Sequence, residues 1–223
     1  ADLTINGQPR KTMLFANRNG FFYVLDRTNG RIISAKPFVS QNWAKEISPE
    51  GRPILNPGIN PSEEGSIKVC PDLGGGTNFF SPAYDPAQRL FFVNARETCA
   101  IYYSWHEPFR QGEQYESGGT TRPPEQKNYG ALRAIDPVTG ERKWEFPYQT
   151  TSSSGILTTA AGLVFSGDGD GNVIALDSKS GKYLWHYQLG NGLRSTGGTT
   201  YMVDGKQYLL FPSGAALTAF ALP

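Results

Sequence analysis

Cysteine and histidine are scarce in this chain: its 223 residues hold two of each. Neither Cys70 nor Cys99 stands in a Cys-x-x-Cys or Cys-x-x-Cys-His context, so thioredoxin-type redox chemistry, a zinc site and covalent haem all lack support. The only imidazoles, His106 and His186, pair with no convincing Ser or Cys nucleophile, and a Ser-His-Asp hydrolase is not expected. Charge is low (18% of residues) and nearly balanced at net +1, with no Lys/Arg run that could follow a phosphate backbone, so no nucleic-acid partner is expected. No apolar run approaches the roughly 18 residues that would cross a bilayer, and no membrane span is expected. The opening ADLTINGQPRK has no basic n-region followed by an apolar h-region, so any export signal is expected to be already removed.

What is abundant points one way. With 26 Gly, 16 Pro, 13 Phe, 11 Tyr and 4 Trp, the chain is rich in turn and strand formers and poor in helix formers, which predicts an all-β fold. Its length allows one sizeable core.

Three segments share a spacing: VLDRTNGRIIS from Val24, AIDPVTGERKW from Ala134 and ALDSKSGKYLW from Ala175. Each follows an alternating apolar run, read as strand, tight turn, strand. A last stretch, TTYMVDGKQYLLFPSGAALTAFAL, keeps the strand plan with Asp204-Gly205 as a hairpin signal. Four units are expected, near 12–38, 77–147, 155–189 and 195–222, within one domain over 1–223. Sheet repeats of about 40 residues are the signature of β-propeller blades. Gly30, Gly140 and Gly181 fit turn positions with positive φ, Asp26, Asp136 and Asp177 are suited to accept from turn amides, and Trp144 and Trp185 are expected to pack between adjacent blades. The segment 104–128 is too long for an ordinary hairpin loop and reads as a lid, a subunit contact or a loosely ordered surface loop. GDGDGN at 167–172 lacks the later Glu of a calcium loop and reads as a turn. Cys70 and Cys99, flanking a strand pair, are compatible with a disulfide or with two buried thiols.

With the repeats and the segments NRNGFFYVLDRTNG (17–30), NWAKEISPEGRPI (42–54), CPDLGGGTNFFSPAYDP (70–86), SGILTTAAGLVFSGDGDGNVIALD (154–177) and TYMVDGKQYLL (200–210) in view, the chain resembles the quinoprotein alcohol dehydrogenases, the methanol/ethanol dehydrogenase family that uses pyrroloquinoline quinone (PQQ). The resemblance covers essentially the whole chain. It implies the carboxy-terminal half of an eight-bladed propeller, about four blades here, left as a half ring, closed as a four-bladed ring, or completed by a second copy. It implies that Arg18 stands where the family places a cation reaching the quinone oxygens, and Asn78 where an Asn amide meets the cofactor. It also implies a Cys70–Cys99 disulfide and hence a periplasmic or secreted protein. Ser153 or Ser154 stands where many members carry a Trp. The calcium ligands and the catalytic Asp of the family are expected to lie outside this chain, so no catalytic residue and no metal ligand is assigned. The implied activity is oxidation of a small alcohol with a cytochrome as electron acceptor, once a missing propeller half or a second copy completes the ring. The rival reading is a non-catalytic propeller module that binds a partner.

Overall fold

The computed structural model describes residues 1–193 and 197–222, and among them it contains twenty strands and no helix. The first sheet is formed by β1 (Asp2–Ile5), β2 (Gln8–Ala16), β3 (Phe21–Asp26) and β4 (Ile32–Pro37), neighbours in that order. It therefore starts upstream of the unit expected from residue 12. In β1 only Leu3 is buried, so the strand offers no apolar alternation to read; it is held by pairing with β2 across Asn6 and Gly7, both at positive φ as a tight hairpin requires.

A small hairpin follows, β5 (Ala44–Ile47) and β6 (Pro53–Leu55), then β7 (Ile67–Val69), β8 (Ala83–Asp85) and β9 (Leu90–Glu97). The chain next makes β10 (Ala100–Ser104) and β11 (Gly118–Thr121), which form a side sheet with β7 in the order β11-β10-β7. The long excursion at 104–128 thus carries an ordered strand rather than being loose throughout. Then β12 (Tyr129–Ile135) and β13 (Arg142–Tyr148) join β9 and β8 in a second sheet, ordered β13-β12-β9-β8. A third sheet is β14 (Leu157–Thr158), β15 (Leu163–Gly167), β16 (Asn172–Asp177) and β17 (Tyr183–Gln188), and a fourth is β18 (Thr199–Val203), β19 (Lys206–Ser213) and β20 (Ala216–Ala221). Residues 195 and 196, the expected start of the last unit, lie outside the described residues.

Alternation within the central strands decides how the sheets stack. In β9, Phe91, Val93 and Ala95 face the first sheet and pack with Phe22, Val24 and Phe38, whereas Leu90 and Phe92 face the third sheet and pack with Val164, Ile174 and Leu176. A central strand with both faces covered reads as a nearly continuous apolar run, as LFFV does. In β16, Ile174 and Leu176 face back toward the second sheet while Val173 faces the fourth, with Leu209 and Phe211. Each core cluster joins successive sheets, and among the described residues none joins the fourth sheet to the first. Of the three arrangements expected, the four-bladed ring closed on itself is therefore not adopted; the sheets form an open stack. Apolar side chains remain exposed at both ends of it, Met13 and Phe15 on the first sheet, Met202 and Leu217 on the fourth.

The repeated spacing now has its physical cause. Asp26, Asp136 and Asp177 each accept a side-chain bond from a turn amide, from Thr28, Val138 and Ser180, all at 2.8 Å. Their carbonyls accept from the amides of Gly30, Gly140 and Gly181, which sit at φ 77°, 75° and 71°. A register shift follows in all three sheets, between Val24 and Leu25, Ala134 and Ile135, and Ala175 and Leu176. Hydrogen bonds from the Thr28 side chain and amide hold the Asp26 carboxyl below the usual range, and those from the Ser180 side chain and amide do the same for Asp177. Trp144 packs on Phe92 and on the bare face of Gly181, and its indole N–H donates to the Ser178 carbonyl at 3.1 Å. Trp185 meets Phe220 edge-on and stays 37% exposed, a looser plate than Trp144.

The junction of the first two sheets holds a buried arginine. Arg133 is 2% exposed and bonds Glu97 at 2.7 Å, Glu145 at 2.5 Å and the Phe38 carbonyl at 2.6 Å. Burial alone would lower its pKa, but the two carboxylates outweigh it and hold the guanidinium above its ordinary value.

Candidate functional site

The strand directions sort the connections into two ends. The Asp–Gly turns lie at one end of the stack; the β2–β3 and β15–β16 turns and the connectors entering β8 and β14 lie at the other. Arg18 belongs to the β2–β3 turn and Asn78 to the connector into β8, so both expected site residues share an end.

The turn at 17–20 is closed by Gly20 N–H to the Asn17 carbonyl at 3.0 Å, and by Asn17 Oδ1 and Asn19 Oδ1 accepting from the amides of Asn19 and Phe21. Trp43 Nε1 donates to the Asn19 carbonyl at 2.8 Å, fixing the turn from the side. Arg18 is left exposed above it.

Beside this turn runs the segment 70–78. The Cys70–Cys99 disulfide is formed, and the Asp72 amide donates to the Thr98 carbonyl at 3.0 Å, so the start of the segment is tied to the β9–β10 corner. The Gly76 amide donates to the Arg18 carbonyl at 2.9 Å, while the Arg96 amide donates to the Gly76 carbonyl at 2.8 Å. The segment thus bridges the first and second sheets through backbone bonds. Gly75 sits at φ 82°, and a Cβ there would overlap the Arg18 side chain; a Cβ on Gly76 would overlap Val39. The glycines are required by this close approach.

Arg18 donates to the Leu73 carbonyl, and Asn78 donates from Nδ2 to the Gly74 carbonyl at 3.0 Å while its Oδ1 accepts from the Phe79 amide at 2.9 Å. Two residues sixty positions apart therefore stand on one short glycine segment. A guanidinium has five N–H donors and an amide two, so both keep donors beyond these bonds. A fixed cation and an amide over a side-chain-free backbone suit a flat, oxygen-rich anion. Tyr102 lies close by: burial raises its pKa, Asp72 raises it further and Arg18 pulls it down.

Ser154 is fully buried, donating to the Gly155 carbonyl at 3.0 Å, with its own carbonyl accepting from Asn94 Nδ2 at 2.7 Å; Ser153 is half-buried. The Ser154 hydroxyl is thus turned into the stack. Asp168 accepts from the amides of Asp170 and Asn172 and from Asn172 Nδ2, which is turn chemistry. Among the described residues no three His, Cys, Asp or Glu side chains come together to hold a metal ion, so the carboxylates described do not fit a calcium site. Sequence reasoning missed Arg96, whose Nε donates to the Gly75 carbonyl at 3.2 Å; a lone Arg at the end of an apolar strand carries no signal of its own.

Comparison with known proteins agrees with the fold. A family model described as "Outer membrane protein assembly factor BamB" matches residues 128–220. The quinoprotein alcohol dehydrogenase PedH of Pseudomonas putida is 36% identical over 216 residues, 93% of this chain and 36% of its own length. The lanthanide-dependent methanol dehydrogenase of Methylacidiphilum fumariolicum is 36% identical over 219 residues, 96% of this chain and 36% of its own length. Among solved structures, a europium-containing methanol dehydrogenase superposes with a TM-score of 0.89 at 36% identity, over 96% of this chain and 38% of the other. The chain spans about a third of the length of the curated relatives it matches.

Proposed function

We propose, on the premise that this chain is homologous over nine-tenths of its length to the quinoprotein alcohol dehydrogenases, that it is a propeller segment whose Arg18 and Asn78 form part of a PQQ site in an alcohol-oxidising assembly. The observation that carries this reading is the convergence of both residues on the glycine segment 74–76. Bound PQQ would supply the acceptor for hydride leaving the alcohol carbon. Arg18 would hold a fixed positive charge toward oxygens that gain negative charge in that step, in a geometry already set by the turn at 17–20 and by Leu73. Asn78 would orient the same ligand through its free donor. Calcium, small alcohol and a cytochrome acceptor belong to the assembled ring. One relative is named a 1-butanol dehydrogenase (cytochrome c), which supports that acceptor class.

The ring would be completed by further sheets, a missing propeller half or a second copy, covering the apolar faces exposed at Met13 and Phe15 and at Met202 and Leu217. Those same faces are what would favour the other reading, a non-catalytic interaction module. The Cys70–Cys99 disulfide supports a periplasmic or secreted location, where such bonds persist.

Titrating the purified chain with PQQ and following the quinone absorbance tests the site. Saturable binding is expected, with Arg18→Gln weakening it roughly ten- to a hundredfold through loss of charge-assisted bonds. No saturable change, or equal binding by the variant, would refute the assignment.

A further inference from the structure

We propose that Arg96 is a positioning residue that braces the glycine segment from behind and thereby sets the Arg18–Asn78 pair. Only its last consequence, an effect on quinone affinity, rests on the function proposed above.

Arg96 lies near the end of β9, its side chain 17% exposed beneath the segment. Nε donates to the Gly75 carbonyl at 3.2 Å. One terminal nitrogen faces Asp72 at 3.8 Å, and Asp72 in turn accepts from the Gly74 amide at 2.9 Å. A Cβ on Gly74 would lie 2.5 Å from that same Arg96 nitrogen, so the guanidinium fills the space under the segment. The planar fork therefore grips Gly75 directly and Gly74 through Asp72. Those two residues have one further duty each. The Gly74 carbonyl receives the Asn78 amide, and Gly75 makes the gap that seats the Arg18 side chain. Two arginines thus embrace the segment, Arg18 from the open side at Leu73 and Arg96 from the buried side at Gly75. The first is exposed; the second lies 17% exposed beneath the segment with Nε on the Gly75 carbonyl, so its role is to place Asn78 and Arg18.

Hydrogen exchange of the full chain by NMR separates this role from general support of β9. Arg96→Met should raise the exchange of the Gly76 amide, which bonds the Arg18 carbonyl, and of the Asn78 side-chain amide by roughly tenfold, the loss expected for one hydrogen bond. Amides of Phe92 and Leu132 in the core should not change. Arg96→Lys, which keeps the charge toward Asp72 but not the fork, should fall between; it also carries the test if the Met variant does not fold. Unchanged exchange at Asn78 and Gly76, or a uniform rise along β9, would overturn the proposal. In a parallel PQQ titration the Met variant should bind roughly tenfold more weakly. Failure of the parent chain to bind PQQ would refute the function proposed above and leave the exchange result to decide on Arg96. Binding by the parent with no loss in the variant would count against Arg96.

Discussion

Arg133→Met is expected to destabilise the chain by about 3 kcal/mol, seen as a lower urea midpoint, because it leaves Glu97 without its ion-pair partner, Glu145 with only the exposed Arg142, and the Phe38 carbonyl without its donor. The guanidinium is one of the largest fully buried groups in the molecule, and its bond to the Phe38 carbonyl ties the chain leaving the first sheet to the strand at the heart of the second. The cost is in the stranded partners rather than in the pair itself. Replacing Glu97 and Glu145 by Leu in the same variant should therefore restore most of the loss, as apolar substitution of a whole buried ion cluster commonly does. A loss below about 1 kcal/mol for Arg133→Met alone, the range of an exposed ion pair, would show that the cluster is solvated and the junction differently built.

Phe92→Ala should cost a similar amount, about 3–5 kcal/mol. Phe92 is fully buried between the second and third sheets, against Trp144 and in one core cluster with Val164 and Leu176. Phe15→Ala is the matched control. Its ring is 41% exposed on the outer face of the first sheet, so truncation there should cost well under 1 kcal/mol. Equal costs at the two positions would mean that the first sheet's outer face is covered in solution and Phe15 is part of a core.

Much of this fold is written locally. The Asp and Gly of each repeat are legible because the turn they make is satisfied within five residues, and the bond from the Gly amide to the Asp carbonyl recurs in all three beside an amide bond to the Asp side chain. Trp144 is legible as a plate because an indole of that size at the end of a strand needs a neighbouring sheet. The side sheet is not, since β7 is a three-residue Ile-Lys-Val and β11 is Gly-Gly-Thr-Thr, one too short and the other too rich in glycine to read as strands before they pair with β10. At the site, Arg18 and Asn78 could be named through the family resemblance, and the glycines between them announce a crowded backbone. Arg96 and Arg133 could not be named. Both sit in or beside runs that read as apolar core, and the carbonyls they bond, those of Gly75 and Phe38, are 21 and 95 residues away.

A quinone is expected to meet this chain at the end of the stack that carries Arg18 and Asn78, and not at the end that carries the Asp–Gly turns. Mapping PQQ-induced changes in backbone amide shifts tests it most directly. Perturbations are expected at residues 17–20 and 73–79, fading toward the strand centres. Perturbations confined to the turns at Asp26, Asp136 and Asp177, or a spectrum unmoved by excess PQQ, would contradict the account.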